Sequence, residues 1–187
     1  ICVGGADVRD IPKEELMDTV SFVFQNSRLL KGSILDNVKL GRPDATEAEA
    51  LSALGDCLYY GRGVRKNKTQ ARRMWKKAAQ AGEVQAMIAL GDDCAASGGE
   101  MAETLQYYRR AQSAAREVPD IAYTPQVCLR LAQYETQYLS RKKALLQVAE
   151  AVQGFRILQA EGETDAADWL REAELLTDQL LADDKNA

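Results

Sequence analysis

The sequence EAEALSALGD, residues 47–56, aligns without a gap on EVQAMIALGD, residues 83–92. The two copies share alanines at matching positions and end in the same Leu-Gly-Asp triplet. The period of about 36 residues is typical of repeats built from two antiparallel helices. It predicts that the structural unit of this chain is a helical hairpin.

The residues between the two copies also follow a recognisable order. They are Tyr59, Gly61, Gly63-Val64, Ala71, Trp75, Ala78-Ala79 and Gly82. Together with the Leu-Gly of each copy, they resemble the Sel1-like repeat, a relative of the tetratricopeptide repeat, over about residues 46–160. The resemblance implies an all-α fold, an α-solenoid of helical hairpins, and a non-catalytic scaffold that binds a protein or peptide partner.

Capping signals give the helix boundaries. Thr46 with Glu49 predicts a capping box and a first helix over 47–60, which ends at the glycines 61 and 63. Either Asn67 or Thr69 caps the second helix. The third is predicted over about 83–97 and the fourth over 101–117. Three more helices are expected, and the last should cap the stack with a polar outer face.

Residues 1–45 have a different pattern. Residues 1–3 and 6–10 suggest two short strands around a Gly-Gly turn, and Val20–Phe24 suggests a buried strand. Short helical segments are expected at 12–17 and 33–38. One or two such strands cannot form a buried parallel sheet, so we expect a small truncated α/β piece.

Residues 4–50 have the sequence GGADVRDIPKEELMDTVSFVFQNSRLLKGSILDNVKLGRPDATEAEA. This order of residues resembles one segment of the ATP-binding domain of exporter-type ABC transporters. The resemblance implies that Gln25 is the Q-loop glutamine, with ATP and Mg²⁺ as cofactors and a transmembrane domain as partner. However, the chain contains no G-x-x-x-x-G-K-[ST] loop, and the family's signature motif, metal-binding acid and switch histidine are missing after residue 50. Gln25 alone cannot catalyse phosphoryl transfer, so we expect no enzyme activity and no cofactor.

The two resemblances overlap at residues 46–53 and leave three hypotheses open. The chain is a repeat scaffold, a fragment of an ABC exporter fused to repeats, or an artefactual chimera of two bacterial reading frames.

We expect an ABC-type segment over 1–45, a repeat domain over 46–182 and a polar tail over 183–187. The chain begins at Ile1, which leaves room for a lost signal peptide, but a cytoplasmic location is predicted.

Composition excludes several classes of protein. With 46% hydrophobic and 28% charged residues, the sequence is that of a globular protein. The net charge of −4 argues against a nucleic-acid binder, and no apolar run approaches the roughly 20 residues that span a bilayer. The chain has no histidine, and its four cysteines form no metal-binding pattern. A Cys57–Cys94 disulfide between adjacent hairpins is the alternative for a secreted repeat protein, but buried reduced thiols are expected.

Two groups of residues are candidates for binding. A basic run without acids lies between Gly61 and Gln80, and Arg72, Arg73, Lys76 and Lys77 form its helical i, i+4 pairs. It is either a docking patch for an acidic partner or a solvated helix face. Among seven tyrosines, we place Tyr60 and Tyr107 nearest a peptide groove.

Paired acids occur at Glu14-Glu15 and Asp92-Asp93. Adjacent helical residues point in different directions, so neither pair suits acid–base catalysis. A solvated or capping role is predicted for both.

Overall fold

The structure, a computed structural model, describes residues 2–3, 6–7, 44–118, 121–138 and 140–182. The chain divides into two compact units, residues 1–32 and 33–187.

In the first unit, the described residues form two short antiparallel strands. Strand β1 (Cys2–Val3) pairs with β2 (Ala6–Asp7), with Cys2 opposite Asp7. The segments predicted at 12–17, 20–24 and 33–38, together with Gln25 and the Glu14-Glu15 pair, lie outside the described residues.

In the second unit, the described residues form seven α-helices, which confirms the helical prediction. These are α1 (Glu47–Tyr60), α2 (Lys68–Gln80), α3 (Val84–Ala96), α4 (Met101–Ala115), α5 (Tyr123–Tyr138), α6 (Arg141–Ala160) and α7 (Ala166–Ala182).

Consecutive helices pack as pairs in two layers. The closest partners are α1 with α2, α3 with α4 and α5 with α6, while α7 packs on α6. Helix α1 also packs against α3, α3 against α5 and α5 against α7. Among the described helices, the backbones of the even-numbered ones do not come as close to one another. The odd-numbered helices therefore form an inner layer and the even-numbered helices an outer layer.

The caps account for the first helix boundaries. The Glu49 N–H donates to Thr46 Oγ1 at 3.2 Å and the Thr46 N–H donates to Glu49 Oε2 at 2.8 Å, which is the predicted capping box. Gly61 ends α1 with a left-handed φ of 77°. At α2, the Gln70 N–H donates to Asn67 Oδ1 at 3.0 Å, so Asn67 is the cap. The alternative, Thr69, is wrong because it lies inside α2.

Helix α5 joins two hydrophobic clusters. Val127 and Leu131 contribute to the cluster of α2, α3 and α4 that contains Trp75. Cys128 lies on the other side, in the cluster of α6 and α7 that contains Phe155. Because one helix is buried on two sides, the hairpins share a continuous packed interior.

Within the described part of the chain, no helix is both long enough and apolar enough to span a membrane.

Candidate functional site

Each Leu-Gly-Asp triplet binds an aromatic ring of the paired outer helix. Asp56 Oδ1 accepts the Trp75 Nε1–H at 3.0 Å. In the second copy, Asp92 Oδ1 accepts the Tyr108 O–H at 2.7 Å. The aspartate therefore satisfies the polar atom of a largely buried ring in both hairpins.

The glycine before each aspartate makes room for that ring. A Cβ on Gly91 would lie 2.5 Å from Tyr108 Cε1, and a Cβ on Gly55 would overlap the Trp75 indole. Any side chain at these two positions would force the outer helix away from the inner helix.

Burial sets the ionisation of these groups. Burial, followed by the charge and hydrogen bond of Asp92, raises the pKa of Tyr108 well above its usual value, so the phenol remains a donor. Burial also raises the pKa of Asp56, although the Trp75 hydrogen bond and the Arg62 charge oppose the shift.

A groove with both polar and apolar lining residues lies between α3 and α5 in the inner layer. Its volume is about 440 Å³. We call it the inner groove, and its lining consists of Asp92, Ala95, Ala96, Tyr108, Arg130, Gln133, Tyr134 and Gln137.

Charged and aromatic groups are fixed in place along the inner groove. Arg130 Nε lies 2.9 Å from Asp92 Oδ1, and these side chains remain 37% and 40% exposed. The rings of Tyr108 and Tyr134 lie edge to face, with centroids 6.2 Å apart. Gln133 Nε2 donates to Glu172 Oε1 of α7 at 2.7 Å. The inner groove therefore offers preorganised polar groups beside aromatic carbon.

Asp93 lies beside Asp92 but faces α2. It is buried, and its carboxylate accepts from Arg72 Nε at 2.5 Å and from Arg72 Nη2 at 3.1 Å. Burial alone would raise the pKa of Asp93, but hydrogen bonds from Arg72 and Tyr59 and the Arg72 charge lower it overall. The prediction of a solvated or capping role for the Asp92-Asp93 pair is therefore wrong, since both carboxylates join helices.

The basic side chains of α2 point to two different sides of the helix. Arg72 turns toward α3 and is held by Asp93. The side chains of Arg73, Lys76 and Lys77 are exposed, and none of them belongs to an ion pair among the described residues. We call these three residues the outer basic face.

Sequence reasoning missed a further arginine near this face. Arg110 of α4 donates from Nη2 to the Ala79 carbonyl at 3.3 Å, which brings it to the last turn of α2. Arg110 and Ala79 are 31 residues apart in the sequence, so no local sequence pattern indicates this contact.

The two tyrosines predicted for a groove lie elsewhere. Tyr60 is the last residue of α1 and is 59% exposed. The Arg62 guanidinium lies over its ring, 4.8 Å from the ring centroid. Tyr107 is half-buried in α4, where burial and then the charge of Glu103 raise its pKa. The inner groove is lined by Tyr108 and Tyr134 instead.

Three of the cysteines are free thiols in the described part of the chain. Cys94 and Cys128 are buried, as expected, whereas Cys57 is only half-buried. Burial is the main cause that raises the pKa of Cys128 to about 12. Among the described residues, no group of three or more Cys, Asp or Glu side chains is placed to hold a metal ion.

Residues 48–83 match the Sel1 repeat model. The matched segment contains the hairpin α1–α2, with Gly55, Asp56 and Trp75 at its centre. The sequence-based recognition of a Sel1-like repeat in this region is thus confirmed.

Curated relatives with sequence similarity to this chain are bacterial export proteins. The beta-(1→2)glucan export ATP-binding/permease protein NdvA of Agrobacterium fabrum is 40% identical over 53 residues, which is 28% of this chain and 9% of the relative. The ATP-dependent lipid A-core flippase of Neisseria meningitidis is 43% identical over 54 residues, which is 29% of this chain and 9% of the relative. The chain therefore spans about a tenth of the length of these relatives, and the resemblance to an ABC exporter segment is confirmed at that partial coverage.

Proposed function

We propose that this chain is a non-catalytic protein-binding scaffold, an α-solenoid whose inner groove takes an extended segment of a partner protein. The observation that supports the proposal best is the arrangement of Arg130, Tyr108 and Tyr134 along one groove of the inner layer. We also propose a cytoplasmic location, as the sequence predicts.

The chemistry of the inner groove suits a peptide. Arg130 uses Nε for Asp92, and its terminal Nη groups have no partner among the described residues, so they can donate to a backbone carbonyl or a carboxylate. Tyr134 supplies a rigid ring with a polar end, a combination that is enriched in protein interfaces, and the buried Tyr108 ring packs edge to face against it. Because these groups are already held by hydrogen bonds and packing, a partner would order few side chains on binding.

A second element of the proposal is that the outer basic face attracts an acidic partner. Arg73, Lys76 and Lys77 are exposed and closely spaced on α2, whereas Arg72 is neutralised by Asp93. We therefore assign the attraction to the first three residues and a structural role to Arg72.

The scaffold proposal is tested by selecting peptides from a random display library on the full-length chain. A photo-crosslinking residue is then placed at Tyr134, with a matched site at Leu175, which is 57% exposed on α7. Enriched peptides should crosslink from position 134 and not from 175. Failure to enrich any peptide, or equal crosslinking from both sites, would refute the assignment of the inner groove.

The outer basic face is tested separately with an acidic peptide. The variant Lys76→Glu/Lys77→Glu should reduce affinity, and added salt should weaken binding to the wild type. Arg72→Gln serves as the comparison and should mainly reduce thermal stability. If the two variants affect binding equally, the assignment to the outer basic face is wrong.

The similarity to export proteins supports a second candidate, an ATP-binding exporter segment. It predicts nucleotide binding that is lost in Gln25→Ala. Titration of the full-length chain with ATP and Mg²⁺ tests it, and an absence of binding at millimolar nucleotide would exclude this candidate.

A further inference from the structure

Helix α6 carries an apolar stripe on the side that faces away from the other helices. Leu146 and Ile157 are 67% and 47% exposed, and they lie three helical turns apart, about 16 Å along the axis. The exposed Gln153 lies between them on the same side. Two open grooves run along α6, and Ile157 and Gln153 line both.

The charges at the ends of α6 are unusual for a helix. Lys142 and Lys143 are exposed in its first turn, and Glu161 and Glu163 are exposed at its C-terminal end. The helix dipole favours the opposite arrangement, with acids at the N-terminus and bases at the C-terminus. These four side chains therefore weaken the isolated helix.

The charges in the middle of α6 are already paired within the chain. Glu150 accepts from Arg116 at 3.0 Å, and Arg156 donates to Glu174 at 2.9 Å. No ion pair among the described residues includes Lys142 or Glu161. The end charges thus remain available to a partner and would determine its direction.

The spacing along α6 is self-complementary. Lys142 precedes Leu146 by one turn, and Glu161 follows Ile157 by one turn. If a second α6 lies antiparallel across the stripe, Leu146 of each copy meets Ile157 of the other, and Lys142 meets Glu161. The small, exposed residue Ala149 lies near the centre of that crossing and permits close approach.

We propose that two copies of this chain associate through α6, antiparallel and about a two-fold axis. The apolar stripe supplies the buried contact, and the Lys142–Glu161 pairs set the direction. Such an interface is isologous, so it closes at two copies and does not form filaments. The inference does not rest on the inner groove or the outer basic face.

The test is the molar mass of the full-length chain, measured by light scattering with reducing agent over a range of micromolar concentrations. The wild type should have the mass of two chains. Leu146→Arg should weaken the dimer at least about thirtyfold, because it places a charge against the apolar Ile157 of the other copy. Leu175→Arg, at a leucine of α7 that is 57% exposed, is the matched control and should leave the mass unchanged.

Charge reversal tests the antiparallel arrangement. Lys142→Glu and Glu161→Lys should each weaken the dimer about fivefold, since each creates two like-charge contacts. The double variant should recover wild-type association, because the reversed pairs again match across the two-fold axis. Circular dichroism monitors the fold of each variant. A monomeric wild type, a dimer unaffected by Leu146→Arg, or a double variant weaker than both single variants would overturn the proposal.

Discussion

The Trp75 indole N–H donates to the Asp56 carboxylate at 3.0 Å, across the first hairpin. The same relation recurs in the second hairpin, where Tyr108 donates to Asp92. The two rings differ, but in each case glycine gives the ring space and aspartate satisfies its polar atom. The repeated Leu-Gly-Asp sequence therefore has a specific structural meaning, which is to position the outer helix against the inner helix.

Gly91→Ala should destabilise the protein by about 1–3 kcal/mol, because its Cβ would overlap the Tyr108 ring and force a shift in packing. The measurement is the free energy of unfolding from urea denaturation. In a Tyr108→Ala background, the same substitution should be neutral or stabilising, since alanine is the better helix former by about 0.5–1 kcal/mol. A similar loss of unfolding free energy in both backgrounds would show that overlap with the Tyr108 ring is not the cause.

Asp93→Asn should destabilise the protein at pH 7 by about 1–3 kcal/mol, because it breaks a charge-assisted contact with Arg72. The pKa of Asp93 is lowered in the folded state, so its contribution is present above the unfolded value of about 4 and is lost as pH falls through the folded value. The difference in unfolding free energy between wild type and variant should therefore shrink toward pH 3. A difference that does not change with pH would contradict the ion-pair assignment.

Asp56→Asn should have the opposite effect on stability at pH 7 from Asp93→Asn, because the pKa shifts of the two aspartates have opposite signs. The pKa of Asp56 is raised, so its ionised form is disfavoured by folding, and the associated stability is lost as pH rises through the folded value. Asparagine keeps an oxygen that can accept from Trp75, so the variant should lose no stability at pH 7. Asp56→Ala removes the acceptor and should lose about 1–2 kcal/mol. Thermal melts of the two variants at pH 7 distinguish the acceptor from the charge.

Alkylation with iodoacetamide should distinguish the cysteines. Cys57 is half-buried and should react before Cys94 and Cys128, which are buried. Cys128 should react last at pH 8, because its pKa of about 12 leaves almost no thiolate. Mass spectrometry of timed samples measures the order, and a Cys2→Ser background removes the fourth thiol. Early modification of Cys128 would contradict its place in the packed interior.

The sequence predicted local structure well where the signal is local. The Thr46–Glu49 capping box and the Gly61 stop are contained within a few residues of α1, so its bounds follow directly. The contact between Asp56 and Trp75 joins positions 19 residues apart, and nothing in the local pattern indicates it.

The candidate site was harder to predict because neighbouring helical residues differ in direction by about 100°. Asp92 faces α5 while Asp93 faces α2, and Tyr108 lines the inner groove while Tyr107 does not. The sequence shows adjacent aspartates on α3 and adjacent tyrosines on α4. Which member of each adjacent pair faces the inner groove depends on how the helices pack.

We propose the inner groove as the partner-binding surface. Its most direct test is isothermal titration of a display-selected peptide into the full-length wild type, into Arg130→Ala, and into Arg171→Ala, an exposed arginine of α7. Our account predicts that Arg130→Ala weakens binding at least about tenfold while Arg171→Ala binds like the wild type. Equal affinities for all three proteins, with Arg130→Ala shown to be folded, would contradict it.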